Sequence, residues 1–298
     1  MTLASAGAVC VLPGGYVDEH GTVHRTAELA PLSGREEELL ATLAGAPAAE
    51  LATEVLARCV RAIGAVRPVT PAVARRLLVG DRLFLLLRLR EASFGHRVEG
   101  RLGCPWCGAR VDLEFSTADV PVKECPATSR TYRVELSAGD VKGGAPRALE
   151  LRLPDGGDQE ALAPLVARDP DQALTALLAR CVADAGVPAG EAARVVGRLT
   201  ARGRRAVERA IEERAPAVEL EMELVCRDCG RGFTAPFDLQ EFVFGELRNS
   251  RDLLYRQVHY LAFHYHWSER EILEMPREKR LAYIEVLAEE MEALSHAG

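Results

Sequence analysis

Cys104-Pro105-Trp106-Cys107-Gly108 and Cys226-Arg227-Asp228-Cys229-Gly230 both follow the pattern Cys-x-x-Cys-Gly, and they start 122 residues apart. The same offset relates Leu56-Ala57-Arg58-Cys59-Val60 to Leu178-Ala179-Arg180-Cys181-Val182, Thr53 to Thr175, Gly64 to Gly186 and Phe115 to Phe237. A register held this long without net insertion is the mark of an internal repeat, so the two halves should share a fold. One knuckle supplies two thiolates, whereas a closed structural zinc site takes four ligands in a tetrahedron. The two copies can complete each other's site, and the reading is one structural zinc ion held by Cys104, Cys107, Cys226 and Cys229. Thiolates suit zinc because it favours sulfur and cannot oxidise it. The glycine after each second cysteine lets the backbone turn tightly and aim amides at the sulfurs.

Around each knuckle the pattern alternates, as in Val98, Gly100 and Leu102 before the first and Val111, Leu113 and Phe115 after it. This predicts two strands joined by the metal-binding turn. The second copy repeats the pair at Val218 to Val225 and Phe233 to Phe237. Upstream, Val9 to Leu12, a Gly14-Gly15 turn, Tyr16-Val17, a turn at His20-Gly21 and Thr22 to Ala30 read as a β-hairpin and a further strand. Ser33 with Glu36 is a capping box that starts a helix. Beyond Pro47 a second helix runs from Ala49 to about Ile63, with Leu51, Val55, Cys59 and Ala62 on its buried face. Thr70-Pro71 opens a short helix ending near Gly80, and Asp81 restarts one through Leu89.

The second copy begins with strands at Tyr132 to Leu136 and Ala148 to Leu153, separated by a turn around Lys142-Gly143-Gly144. Helices follow over Asp171 to Ala185, Ala189 to about Leu199 and Arg202 to Glu213. Gly157-Asp158-Gln159-Glu160 echoes Gly34-Arg35-Glu36-Glu37 one residue out of the main register. After the repeats, Asp238 with Glu241 and Ser268 with Glu271 cap further helices, which run to about Asn249, from Arg251 to Tyr265 and from Arg277 to Leu294. The expected fold is α+β and predominantly helical. Two duplicated helical lobes contribute small antiparallel β-hairpins to a shared zinc-ribbon-like centre, and a helical module follows. The boundaries are 1–128, 129–237 and 238–298, with the linker at Pro126 to Thr131.

Composition limits the possible functions. In 298 residues, 48% apolar content suffices for proper cores, and the longest apolar run, Leu83 to Leu87, is far short of the roughly 20 residues that span a membrane. Eight cysteines are too sparse for a disulfide scaffold, and no basic stretch followed by an apolar run marks secretion; the expected compartment is cytoplasmic. A net charge of −7 with mixed signs makes nucleic acid an unlikely main partner and favours protein. Seven of the sixteen aromatic residues fall between Phe242 and Trp267, which singles out that segment as a surface or satellite core. Tyr260, Phe263, Tyr265 and Trp267 are the candidate partner-binding residues, being the residue types that dominate interfaces.

Other chemistry is weaker. Cys-Pro-Trp-Cys resembles a redox dithiol, but such a pair sits where a helix begins, and here the alternation from Arg110 to Phe115 continues as strand. Cys10, Cys59 and Cys181 read as packed residues and Cys125 as a loop residue. On one helix His259 and His264 lie about 140° apart, and His264 and His266 about 200°, so they do not converge on a metal. No Gly-x-Ser-x-Gly, phosphate-binding glycine loop or His-Glu-x-x-His occurs, and the chain reads as a non-enzyme.

Pro31-Leu32-Ser33-Gly34-Arg35-Glu36-Glu37-Glu38, the stretch Leu77 to Arg82, and the Cys-Pro-x-Cys-Gly hairpin together resemble the T4-type phage family of baseplate hub assembly chaperones, with relatives in phage-tail-like contractile injection systems. His264 to Leu273 resembles a helical module of small tail and baseplate proteins. The resemblance implies a non-enzymatic assembly chaperone or minor structural subunit of a contractile tail baseplate. Its partners would be hub, spike or tape-measure proteins, and it could stay in the finished particle. Two copies, where the simplest family pattern has one, leave open whether it binds one partner or bridges two. The alternative is a zinc-ribbon nucleic-acid-binding adaptor reading through Trp106, Arg101 and Arg110.

Overall fold

The computed structural model describes residues 8–43, 45–143, 148–183, 187–218, 221–236, 238–249 and 251–296. Gly144, Gly186 and Phe237, which entered the repeat and turn readings, lie outside them. The first sheet pairs β1 (Ala8–Val17) with β2 (Val23–Leu29), and β2 carries β3 (Val60–Ile63) on its other edge, all antiparallel. Gly14-Gly15 is not a turn but an irregularity within β1, between Val11 and Tyr16. The strand bends there because the amides of Gly14 and Gly15 donate to the Asp81 carboxylate at 2.8 and 3.0 Å. Gly15, at φ 104°, occupies backbone space that side chains avoid.

Helix α1 (Gly34–Thr42) starts at the Ser33 capping box, and α2 (Ala48–Cys59) buries Leu51, Val55 and Cys59. The helix expected to reach Ile63 stops at Cys59, because β-branched Val60 and Ile63 are buried on the edge of β2 instead. Next come α3 (Pro71–Arg75), capped by Thr70, and α4 (Val79–Phe94), which begins two residues before Asp81 and extends beyond Leu89. The first knuckle hairpin is β4 (Arg97–Gly103) with β5 (Arg110–Ser116). Strand β6 (Val122–Lys123) leads into the second half.

There, β7 (Thr131–Glu135) pairs with β8 (Ala148–Arg152), followed by α5 (Gly156–Val166), α6 (Pro170–Ala183), α7 (Ala189–Gly197) and α8 (Ala201–Arg214). Strand β9 (Ala217–Val218) pairs back onto β6, and β10 (Glu221–Val225) with β11 (Gly232–Pro236) forms the second knuckle hairpin. Four helices close the chain: α9 (Leu239–Asn249), α10 (Arg251–Tyr265), α11 (Glu269–Leu273) and α12 (Arg277–His296).

The 122-residue spacing recurs in the elements. Helices α1 and α5 begin at Gly34 and Gly156, α2 and α6 at Ala48 and Pro170, and α4 and α8 at Val79 and Ala201. The echo of the first capping box is therefore in register: Asp155 and Asp158 occupy the positions of Ser33 and Glu36, and both pairs close a box. Thr175 donates to the carbonyl four residues back, Thr53 lies 3.3 Å from the equivalent Ala49 carbonyl while donating to Glu160, and each accepts from an arginine, Arg204 and Arg82, which are also 122 residues apart.

Among the described residues three larger cores follow from this order, besides a small cluster at the knuckles. The first gathers Leu12, Leu29, Leu56 and Leu85, together with Val243 and Phe244 of α9. The second joins Leu151, Leu178, Cys181 and Val207. The third, built from Leu254, Leu261, Ile272 and Leu273, belongs to α10 and α11.

Candidate metal centre

Each knuckle is shaped by its own backbone. Cys104 donates its amide to the Ala109 carbonyl at 2.8 Å and Cys226 to that of Arg231 at 3.0 Å. Gly108 and Gly230 each donate at 2.9 Å to the carbonyl of the first cysteine of their own turn. Those glycines sit at φ 74° and 70°, which a side chain would strain. The matched turns point two sulfurs from each hairpin into one place.

All four sulfurs lie within 4.8 Å of one another. Cys104 Sγ is 3.8 Å from Cys229 Sγ, and Cys107 Sγ is 3.6 Å from Cys226 Sγ. These contacts cross between the hairpins. A disulfide would bring sulfurs to about 2.05 Å, and all eight cysteines are free. A zinc ion with bonds of about 2.3 Å in a tetrahedron would hold its sulfurs about 3.8 Å apart. The donor set therefore fits a tetrahedral metal, and these four cysteines are the residues that could hold one.

The surroundings treat the two thiols of the first knuckle differently. Burial opposes ionisation of Cys104, but the amides of Trp106 and Cys107 point at its sulfur, and its thiol is lowered to about 7. At Cys107 the Ala109 amide works toward thiolate, yet burial and the sulfurs of Cys226, Cys104 and Cys229 push it up to about 12. Crowded thiolates repel, and a divalent cation removes that conflict. Val111, Leu224 and Phe233 cover the sulfurs, with Cys104 and Cys226 buried and Cys107 exposed. The Trp106 indole reaches the Gly232 carbonyl at 3.4 Å, and Arg231 lies over its ring at 5.4 Å, so the first knuckle also grips the second hairpin outside the sulfurs.

The other cysteines lie elsewhere. Burial pushes the Cys10 thiol up to about 11 and raises that of Cys59 further. Cys181 belongs to the second core, and Cys125 donates to the Glu213 carbonyl at 3.4 Å. Among the described residues no histidine joins a metal-binding group.

The candidate partner residues lie in the last turns of α10 and, for Trp267, just beyond it. Tyr265 and Trp267 stack at 4.6 Å, and Tyr283 of α12 meets both edge-on. The Tyr260 hydroxyl reaches the Met291 sulfur at 3.1 Å, while Phe263 is 67% exposed. The structure thus brings Tyr265 and Trp267 together and leaves Phe263 facing outward.

Several buried charged residues were not singled out in the sequence, Arg82, Arg280 and Arg152 among them. Arg82 and Arg280 are 1% and 0% exposed, each at the fourth position of its helix, α4 and α12. Arg280 donates to Glu37 at 2.6 Å and to Gln257 at 2.7 Å. Arg152 forms two bonds to Asp158, at 2.5 and 2.9 Å, and Arg180 adds a third at 2.7 Å. The available signal was positional and partial: Thr53, in the 122-residue register, meets Arg82, and Asp158 of the second capping box meets Arg152, whereas Glu37, which meets Arg280, stands beside the first box.

The family described as T4 bacteriophage base plate protein matches residues 19–244. The chain belongs to this family. The match covers both knuckle hairpins and ends at Phe244, within the α9 residues that complete the first core. No curated protein and no solved structure matched. A baseplate-associated structural role follows from the family. No helix among the described residues is long and apolar enough to cross a membrane.

Proposed function

We propose that this baseplate-family protein is a non-enzymatic assembly chaperone or minor structural component of the baseplate hub of a contractile phage tail or injection system. In this reading the two halves descend from one duplicated unit, and a single zinc ion bound by Cys104, Cys107, Cys226 and Cys229 fixes them at the hairpins. The observation that carries it is the convergence of four cysteines, from hairpins 122 residues apart, within 4.8 Å inside a chain of this family. A zinc-tied centre would hold two helical lobes at a set angle for hub, spike or tape-measure proteins to bind. Phe263, with Tyr260, Tyr265 and Trp267 behind it, would add contacts from the C-terminal helices.

The nucleic-acid adaptor has less support, because Arg101, one of the two arginines it would read through, is already paired with Asp112.

Two measurements test the proposal. Freshly purified protein should carry one equivalent of zinc, lost in a Cys104→Ser, Cys226→Ser double variant; less than half an equivalent rejects the metal. Affinity capture from cells expressing the tail gene cluster should recover hub, spike or tape-measure protein, and proteomics of finished particles separates component from chaperone. Recovery of no baseplate protein overturns the role.

A further inference from the structure

The helix-starting segments at Leu32–Glu38 and Pro154–Glu160 are docked in the same way onto different parts of the chain. In the first, Gly34 donates to the Met275 carbonyl at 3.4 Å and Arg277 donates to the Leu32 carbonyl at 3.1 Å. In the second, Gly156 donates to the Leu77 carbonyl at 3.1 Å and Val79 to the Pro154 carbonyl at 3.3 Å. The N-caps Ser33 and Asp155 thereby bridge to Pro276 and Leu78. On the donor side all positions are shifted by 122 residues, and on the acceptor side all by 198.

The acceptors are built alike. Helices α3 and α11 each have five residues, and three more residues lead into α4 or α12, whose fourth residue is the buried Arg82 or Arg280. That arginine returns to the preceding long helix: Arg82 to Thr53 and the Ala49 carbonyl on α2, Arg280 to Gln257 on α10. Glycine is needed at the first helical position of the docked segment. A Cβ on Gly156 would stand 2.2 Å from Arg82 Nη1, and one on Gly34 would stand 2.9 Å from Leu273 Cα. Acids then secure both segments, though from different positions: Glu160, the fifth helical residue, through Thr53 and Arg75, and Glu37, the fourth, through Arg277 and Arg280, while Glu38 at the fifth accepts from Tyr255.

A third acceptor of this design has no such occupant among the described residues, although its loop is bridged by Val141 to Leu199, with Lys142 donating to the Arg198 carbonyl and Thr200 to the Asp140 carbonyl, bonds that use neither the Leu199 carbonyl nor the Ala201 amide. Helix α7 ends at Gly197, three residues lead into α8, and the fourth residue of α8 is Arg204, which donates at 2.6 Å to Thr175 on α6. Among the described residues, no segment makes the pair of backbone bonds at Leu199 and Ala201 that Leu77 and Val79 make. Arg204 and Thr175 remain half-exposed, whereas Arg82 and Thr53 are buried. The pattern Ser/Asp-Gly-x-Glu/Asp-x-Glu occurs in the whole chain only at Ser33–Glu38 and Asp155–Glu160, and both copies are engaged. Exchange of these segments between copies of the protein would not change the count of two segments for three acceptors.

We infer that the α6–α7–α8 face around Arg204 and Thr175 is a docking site for another protein, through a segment with a Ser or Asp N-cap, glycine at the first helical position, and acids at the third and fifth. This goes beyond the zinc-tied centre and does not depend on it. Arginine at the site and acids in the segment give the contact its charge complementarity.

Fluorescein-labelled synthetic peptides of residues 29–43 and 152–167 serve as probes of the full-length, zinc-containing protein, read by anisotropy. The expected result is saturable one-to-one binding, weakened about tenfold or more by Arg204→Ala in the protein and by Gly34→Leu in the first peptide. Gly197 holds the place of Arg75, and a side chain there meets open space. Gly197→Arg should therefore strengthen binding of the second peptide about two- to fivefold, and Glu160→Gln in the peptide should cancel the gain. This gain stands even where Arg204→Ala weakens folding. Absence of saturable binding up to millimolar peptide, or binding indifferent to both protein variants, overturns the inference. So would sedimentation showing self-association that Arg204→Ala abolishes, since the occupant would then be a second copy. The peptide assay contains no baseplate partner, so its failure is distinct from failure of the affinity capture.

Discussion

At the scale of single residues, buried charge decides more than its small number of atoms suggests. Asp158 is 1% exposed and holds Arg152, itself buried, with Arg180 beside it. Burial alone would raise its carboxyl pKa, but the hydrogen bonds and charge of Arg152, with help from Arg180, hold it below the ordinary value. A carboxylate depressed in the folded state adds stability that is fully present above the unfolded pKa, near 4, and is lost as pH falls through the folded value. Asp158→Asn leaves Arg152 buried without its counter-charge, and removing one partner of such a pair costs about 3–5 kcal/mol. Urea titrations at pH 7 should show that loss, and the gap between variant and parent should narrow as pH falls below about 4. An unchanged gap at pH 3 would mean that the carboxylate is not the source of the effect.

At the scale of elements, the sequence was most legible where a local rule acts alone. The capping boxes at Ser33 and Ser268, the Thr70-Pro71 start and both knuckle hairpins fall where side-chain chemistry and alternation place them. The four sulfurs were legible for the same reason, since their residue type and spacing carry the chemistry. Reading failed where a distant partner overrides local preference. Gly14-Gly15 reads as a turn until Asp81, 67 residues on, accepts both amides, and Val60 to Ile63 continues a helical pattern until the open edge of β2 claims it. Helix α5 was missed because Gly156-Gly157 and Pro164 oppose helix locally, while its docking against α2, α3 and α4 stabilises it. Tertiary approach also explains Gly80: a Cβ there would stand 2.0 Å from the Pro216 carbonyl oxygen, just before β9. Gly80→Ala must shift β9 or the start of α4, and is expected to cost about 1–3 kcal/mol in thermal or denaturant unfolding. A neutral result would show that β9 yields freely.

At the scale of the whole molecule, two kinds of tie hold parts distant in sequence: the sulfur cluster, which joins the hairpins, and the docked helix starts, which join Ser33 to Pro276 and Asp155 to Leu78. They share no residue and should fail independently. Gly34→Leu places a side chain against the Leu273 backbone and Arg280, so it should release α10 to α12 from α1 while leaving the knuckles intact. Under limited trypsin digestion, cleavage within Arg251–Arg280 should then accelerate by an order of magnitude or more, because proteolysis follows the population of the opened form. Zinc content should stay at one equivalent. Chelation should do the reverse, speeding amide exchange at Cys104, Gly108, Cys226 and Gly230 without exposing the C-terminal helices. If chelation alone released those helices, or Gly34→Leu alone discharged the metal, the two ties would be one coupled unit, and both halves and the C-terminal helices would open together as a single body.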